Sequence, residues 1–363
     1  MGAGVLQPIV AKALFPMPKP ARYKPELPQL VWIPTEHKTR IPCSFFHQPL
    51  ATHLVIYCHG NASDLGTIYY ETQGLSNFLN VHLLAVEYPG YGLYEGTPSE
   101  DQINLDLEGV FHFVTTVLKC PPIRVVLFGR SLGTGPCCRL AAKLEQDDIK
   151  LGGLILQSPF TSILDAARNI SSAAGLVMQD YWENSKHIKK VICPLLLVHG
   201  KKDRVIPHTM STELYHTCPS KRKRLLLSVT ASHNSFHLFY DLVKPISRFL
   251  QDFIETKNSQ CRPFNLTMPK ELYVAGNSFS VHCFSFSRSR SNSDAGLSRT
   301  TSETTSPVSP RRATSPVSLR RGSSQRFGSS QRFARRDRAV SDDRHRRGRS
   351  KPMNPASGRI GCI

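Results

Sequence analysis

The sequence has no apolar run near the roughly 18 residues that a membrane-crossing helix requires, so no transmembrane segment is expected. Its first apolar stretch, Val5–Phe15, is interrupted by Pro8 and Lys12 and lacks the form of a signal peptide. There are ten cysteines, but none falls in a CxxC pair or another metal-ligand spacing. Cys137 and Cys138 are adjacent and, on a helix, point about 100° apart. Scattered thiols suit a reducing compartment, so the expectation is a cytoplasmic protein with free cysteines. No dinucleotide fingerprint is present: Gly90-Tyr91-Gly92 lacks the third glycine and reads as a tight strand-end loop. The sequence therefore predicts no cofactor and no metal.

Acidic residues are the scarce charge, 27 Asp and Glu against 46 Lys and Arg, for a formal net charge of +19. The shortage is local. From Ser285 onward 18 basic residues face 5 acidic ones, and aliphatic residues almost disappear. Such a composition buries too little apolar surface to offset chain entropy, and disorder is expected there. The basic character thus belongs to the tail and not to a basic active site. Three parts follow: a proline-rich arm over 1–30, a folded domain over 31–256, and a low-complexity Ser/Arg-rich tail over 257–363.

Between the arm and the tail, short apolar runs alternate with amphipathic stretches. Strands are expected at His53–Cys58, Val81–Val86, Arg124–Phe128, Leu154–Gln157, Pro194–Val198 and Arg224–Val229. Helices are expected at Ser99–Leu118, with Ser99 as N-cap, and at Leu132–Glu145, Thr209–His216 and His237–Ile254. Continuous apolar strands alternating with helices predict an α/β fold: a mostly parallel central sheet covered on both faces. Chemistry in such a fold belongs in the loops at the strand C-termini.

Gly129-Arg130-Ser131-Leu132-Gly133 sits directly after one of these strands and directly before a helix. In that context G-x-S-x-G is a nucleophile elbow, which lifts a serine hydroxyl clear of the sheet on a strained turn. A serine needs a base, and the base needs an orienting carboxylate. In chain order the acid comes next: Asp203, in the loop after the strand Pro194–Val198. The histidine follows as His233, in the loop after the next strand, with His237 as the fallback. An oxyanion hole needs two backbone N–H groups. One is expected from Leu132, and the other from Asn61 or Ala62 in the loop His59-Gly60-Asn61-Ala62.

Taken together, HGNASDLG (59–66), EYPGYG (87–92), EGTPSE (95–100), FGRSLGTGP (128–136), LQSPFTS (156–162), HGKKDRVIP (199–207) and ASHNS (231–235) resemble the α/β-hydrolase domain-containing proteins of the protein 17 type. The likeness runs over roughly residues 10–255 and includes the pre-domain arm AKALFPMPKP (11–20). It implies the α/β-hydrolase fold, Ser131, Asp203 and His233 as a triad, and a palmitoyl-cysteine thioester of a protein as substrate. GRSLG and SPFTS are also similar to the protein 13 type. The protein 17 type carries an N-terminal cysteine cluster for membrane attachment, whereas the first 42 residues here contain no cysteine.

Membrane recruitment would then fall to other features. Met1-Gly2 opens a weak myristoylation pattern, with Leu6 where a hydroxyl residue is expected. Val5–Phe15 reads as a shallow interfacial insert, and the basic tail as attracted to anionic lipid. The tail also repeats TSPVS (305–309, 314–318) and GSSQRF (322–327, 328–333) and carries kinase-type sites such as Arg311-Arg312-Ala313-Thr314 and Ser306-Pro307. The expected partners are an S-acylated protein or lipid ester, a membrane surface at the cytosolic face, and kinases acting on the tail. The rival readings are a lipid esterase of the lysophospholipase or monoacylglycerol lipase type, an inactive scaffold, and nucleic-acid binding by the tail. The last is not expected, because Phe327 and Phe333 make a weak stacking platform. Between Phe160 and Pro194 there is room for only a small cap.

Overall fold

In a computed structural model, the described residues are 14–35, 40–170, 180–254 and 262–274. Eight strands form one sheet: β1 (Leu30–Pro34), β2 (Arg40–Phe46), β3 (Leu54–Cys58), β4 (His82–Val86), β5 (Val125–Arg130), β6 (Gly153–Gln157), β7 (Leu195–Gly200) and β8 (Lys223–Ser228). Their spatial order is β1-β2-β4-β3-β5-β6-β7-β8. Only the β1–β2 and β2–β4 pairings are antiparallel; the rest are parallel. This is the mostly parallel α/β sheet expected from the alternating pattern, in the α/β-hydrolase form that the resemblance implies.

The strands are buried along nearly their whole length because both faces are covered. Successive side chains of a strand point to opposite faces, so each strand feeds two cores. Leu54, Ile56, Leu127, Leu154 and Leu156 enter one core, and Val55, Tyr57, Val126, Phe128 and Ile155 enter the other. The helices are α1 (Leu65–Leu79), α2 (Glu100–His112), α3 (Thr134–Gln146), α4 (Ile163–Ile170), α5 (Asn184–His187), α6 (His208–Thr217) and α7 (Lys244–Phe249). Ser99 caps α2 as expected, its Oγ accepting the Gln102 N–H at 3.2 Å. The last expected helix is wound as π-turns, Leu238–Val243 and Leu250–Ile254, on either side of α7.

Four features depart from the sequence reading. Strands β1 and β2 were not anticipated; Pro34 and Pro42 lie within them, which proline tolerates near a sheet edge. Helix α1 was also unanticipated. It connects two parallel neighbours, β3 and β4, and is started by Asp64, whose Oδ1 accepts the Thr67 N–H at 2.9 Å. Third, the boundary at residue 257 is too early. Residues 262–274 return to the domain: Leu266, Met268 and Leu272 are buried in the core, and the Phe264 N–H donates to the Ala51 carbonyl at 3.1 Å. Three apolar residues within seven positions supply the burial that the later tail lacks. Fourth, Phe15 cannot serve a membrane surface. It is buried and meets Trp182 edge-on with ring centroids 6.2 Å apart. The arm from Phe15 to Gln29 is non-helical, as its prolines require, yet it packs on the domain. Met178 and the rest of residues 171–179, part of the expected cap, lie outside the described residues, as does the sequence after Val274. Among the described residues no helix is long and apolar enough to cross a membrane.

Candidate active site

Strands β3 and β5 are in register with Cys58 opposite Gly129, so the loop after β3 and the turn after β5 leave the sheet side by side. Ser131 stands at that turn with φ of +50°, a left-handed conformation costly for a residue with a side chain. The turn is tight enough that a Cβ on Gly129 would run into the Gly133 carbonyl, and a Cβ on Gly133 into the Cys58 carbonyl. Both glycines are therefore required by close backbone approach. The chain then enters a 3-10 turn, Ser131–Gly133, that continues into α3. This places the Leu132 N–H at a helix start, where backbone donors have no intrahelical acceptor.

The serine, histidine and aspartate expected from the sequence come together. Ser131 Oγ lies 3.0 Å from His233 Nε2. His233 Nδ1 lies 2.7 Å from Asp203 Oδ2. The three side chains come from the ends of β5, β7 and β8, and β7 and β8 are paired through Gly200 and Ser228 next to the loops that carry Asp203 and His233. Asp203 has a fully buried side chain, and His233 is mostly buried. His237 does not join them. It caps the following π-turn, its Nδ1 accepting the Tyr240 N–H at 3.3 Å.

Asp203 is fixed on every side. Its Oδ1 accepts the N–H groups of Val205 and Ile206, each at 2.9 Å. Its Oδ2 faces a second histidine, His199, at 3.2 Å. His199 is fully buried, with Nε2 2.9 Å from the Ile206 carbonyl and Nδ1 2.6 Å from Ser211 Oγ. These partners put the proton on Nε2, so His199 donates toward Asp203 and Ile206 while Ser211 donates to Nδ1. Burial alone would raise the Asp203 pKa; hydrogen bonds from His199, His233 and the Ile206 N–H outweigh it and hold the carboxyl well below the usual range. His199 is not among the residues the sequence pattern marks as candidates. Its signal was present: it lies at the penultimate position of β7, four residues before the aspartate.

The His59–Ala62 loop lies against the elbow. A Cβ on Gly60 would sit 3.5 Å from Ser131 Cβ. Of the two donors left open, the Ala62 N–H is taken by Asn61 Oδ1 at 3.1 Å. Among the described residues the Asn61 N–H has no such partner. Beneath the loop, His59 and Glu87 are fully buried and joined at 2.8 Å, and Glu87 also accepts the Leu65 N–H at 3.1 Å and the Tyr23 hydroxyl at 3.0 Å. On the other side of the elbow, Arg130 donates to Asn234 Oδ1 at 3.2 Å, the residue after His233, and stands 4.0 Å from Glu71 on α1. Among the described residues no cluster of His, Cys, Asp and Glu is arranged to hold a metal ion.

The sequence profile of the Hydrolase_4 family, described as serine aminopeptidase S33, matches residues 169–237, which include Asp203 and His233. Alpha/beta hydrolase domain-containing protein 17C of Xenopus tropicalis is 30% identical over 217 residues, 60% of this chain and 67% of that protein. Human alpha/beta hydrolase domain-containing protein 17B is 30% identical over 217 residues, 60% of this chain and 73% of its own length. Among solved structures, an alpha-beta hydrolase from Vibrio vulnificus superposes with a TM-score of 0.56 at 18% identity, over 69% of this chain and 95% of that one. An esterase from Pyrococcus furiosus gives a TM-score of 0.51 at 18% identity, over 62% and 92%. These two structures bear on the fold alone. The chain belongs to the alpha/beta hydrolase domain-containing protein 17 family and is a serine hydrolase.

Proposed function

We propose that the protein hydrolyses acyl thioesters, removing palmitoyl-type groups from protein cysteines, with Ser131 as nucleophile, His233 as general base and Asp203 as the group that orients the histidine. The observation that carries the reading is the hydrogen-bonded series Ser131 Oγ to His233 Nε2 at 3.0 Å and His233 Nδ1 to Asp203 Oδ2 at 2.7 Å, ending on a serine at positive φ.

In the first half-reaction Ser131 Oγ attacks the acyl carbonyl carbon and its proton passes to His233 Nε2. The N–H groups of Leu132 and Asn61 donate to the developing oxyanion; each donor of this kind contributes about 2.7–4 kcal/mol in the transition state. Collapse of the adduct breaks the carbon–sulfur bond, and the cysteine sulfur leaves with the proton held on His233. A thiol leaves readily, since its pKa is about 8.5. Water, deprotonated by His233, then attacks the acyl-serine and frees the carboxylic acid and Ser131. Asp203 stays ionised throughout, which its lowered pKa favours.

The choice of a protein thioester over a lipid ester rests on the family. The test is turnover of a palmitoyl-cysteine peptide against a monoacylglycerol of matched chain length, by the full chain and by Ser131→Ala. Faster release from the peptide, abolished by Ser131→Ala, supports the proposal. Preference for the glyceride would make the protein a lipid esterase. Substrates of this class reside on the cytosolic face of membranes, so the proposal extends to peripheral contact there through the basic tail. Kinases acting on the tail would weaken that contact by adding about −1.5 to −2 charges per phosphate.

A further inference from the structure

The side chain of Asn61 is held at both ends of its amide. Its Nδ2 donates to the Leu14 carbonyl of the N-terminal arm at 2.7 Å. Its Oδ1 accepts the Tyr91 hydroxyl at 2.7 Å and the Ala62 N–H at 3.1 Å. A primary amide fixed through both its oxygen and its nitrogen cannot turn, and the peptide plane that carries it is fixed in the same act.

Both holding groups are themselves anchored. Tyr91 is fully buried, and burial together with the nearby Glu87 carboxylate raises its phenol pKa, so it remains a donor at every working pH. The arm is pinned at three further points after Leu14. Phe15 packs edge-on against Trp182. The Arg22 N–H donates to Asp64 Oδ2 at 2.7 Å, and Tyr23 donates to Glu87 Oε2 at 3.0 Å. Asp64 and Glu87 both belong to the support of the His59–Ala62 loop: Asp64 starts α1, which follows it, and Glu87 holds His59. The arm thus clasps the loop that adjoins Ser131, and among the described residues it makes no hydrogen bond or ring contact with Ser131, Asp203 or His233.

We infer that Tyr91 and the arm segment 14–17 are positioning elements: acting through the Asn61 side chain, they aim the backbone N–H of Asn61 at the oxyanion. The inference rests on the proposed acyl transfer at Ser131 and assigns the arm a part in rate in place of a purely structural one. A shift of about 1 Å in such a donor can cost on the order of 100-fold in rate.

The test compares an activated oxoester with its thionoester, in which sulfur replaces the carbonyl oxygen. Sulfur accepts hydrogen bonds weakly, so the thionoester draws little from the donors and reports on the serine and histidine alone. Tyr91→Phe, a deletion of residues 2–16 and their combination are measured in the otherwise full chain. Each single change is expected to lower kcat on the oxoester by about 10–100-fold with KM within about twofold. The oxoester-to-thionoester rate ratio should fall by about tenfold or more. The combined variant should be no slower than the slower single one, since both act through one amide. If the deletion does not fold, Tyr91→Phe and Asn61→Ala, which keeps the backbone N–H, carry the test. A ratio equal to that of the wild type in Tyr91→Phe overturns the inference. Oxoester turnover by Ser131→Ala would instead overturn the reading of the site itself, so the two failures are told apart.

Discussion

Replacing Asp203 by asparagine alters one atom's chemistry and should silence the enzyme without unfolding it. The structure fixes which way the new amide must face. Asp203 Oδ1 accepts two backbone N–H groups, from Val205 and Ile206, each at 2.9 Å. Turning the amide so that NH2 met those donors would orphan both, at about 1–3 kcal/mol each. The oxygen therefore stays there, and NH2 takes the place of Oδ2, opposite His233 Nδ1 and His199. His199 already commits its Nε2 proton to Ile206 and cannot accept. The amide then donates to His233 Nδ1, which forces the imidazole proton onto Nε2, the atom that faces Ser131. A protonated nitrogen cannot take the serine proton. The expected loss is about 10⁴ in kcat, or about 5.5 kcal/mol of barrier, as for a base locked in the wrong tautomer. The assay is single-turnover acylation by an activated ester, with circular dichroism and thermal melting as controls for the fold. A variant that keeps kcat within about tenfold of wild type would refute the orientation argument.

Three further outcomes follow from the same geometry. Gly133→Ala drives a Cβ into the Cys58 carbonyl of β3, backbone against backbone; about 1–3 kcal/mol of stability and most of the activity should be lost, and a wild-type melting temperature would contradict the close approach. Arg130 and Asn234 join the elbow to the His233 loop, so a double-mutant cycle with Arg130→Met and Asn234→Ala should give a coupling of about 0.5 kcal/mol or more in kcat/KM, whereas additive losses would remove Arg130 from the positioning of His233. His53 is buried, and burial with the nearby Arg124 lowers its pKa from 6.5 to about 4. Its folded pKa is depressed, so the folded state binds fewer protons: the contribution to stability is whole above pH 6.5, declines as the pH falls, and is gone below about pH 4. Denaturant titrations should show that decline flattened in His53→Gln, and an unchanged pH dependence would refute it.

The fold and the relay were legible in the sequence because both rest on local signals. Apolar runs such as those within His53–Cys58 and Pro194–Val198 announce buried parallel strands, and Ser131 sits where a strand turns directly into a helix. Asp203 and His233 follow in the chain order this fold imposes. What escaped depends on contacts distant in sequence. Strands β1 and β2 carry prolines that argue against a sheet, and only the pairing of β2 with β4 recruits them. Helix α1 contains Gly74 and four β-branched or aromatic residues in a row, Thr67-Ile68-Tyr69-Tyr70, and owes its form to packing on the sheet. Leu272 reaches the core from within the stretch that composition assigns to the tail. The same holds within the site. No spacing rule links Leu14 to Asn61 across 47 residues, or Arg130 to Asn234 across 104. His199 lay in plain view, yet its fully buried contact with Asp203 is a property of the folded loop.

The account stands on Ser131 being made nucleophilic by His233. Intact-mass spectrometry of the full chain after reaction with a fluorophosphonate tests this directly. The account predicts one adduct, mapped by peptide sequencing to Ser131, absent from Ser131→Ala and slowed by orders of magnitude in His233→Ala. A stoichiometric adduct on another residue, or equal labelling of the His233→Ala protein, would contradict it.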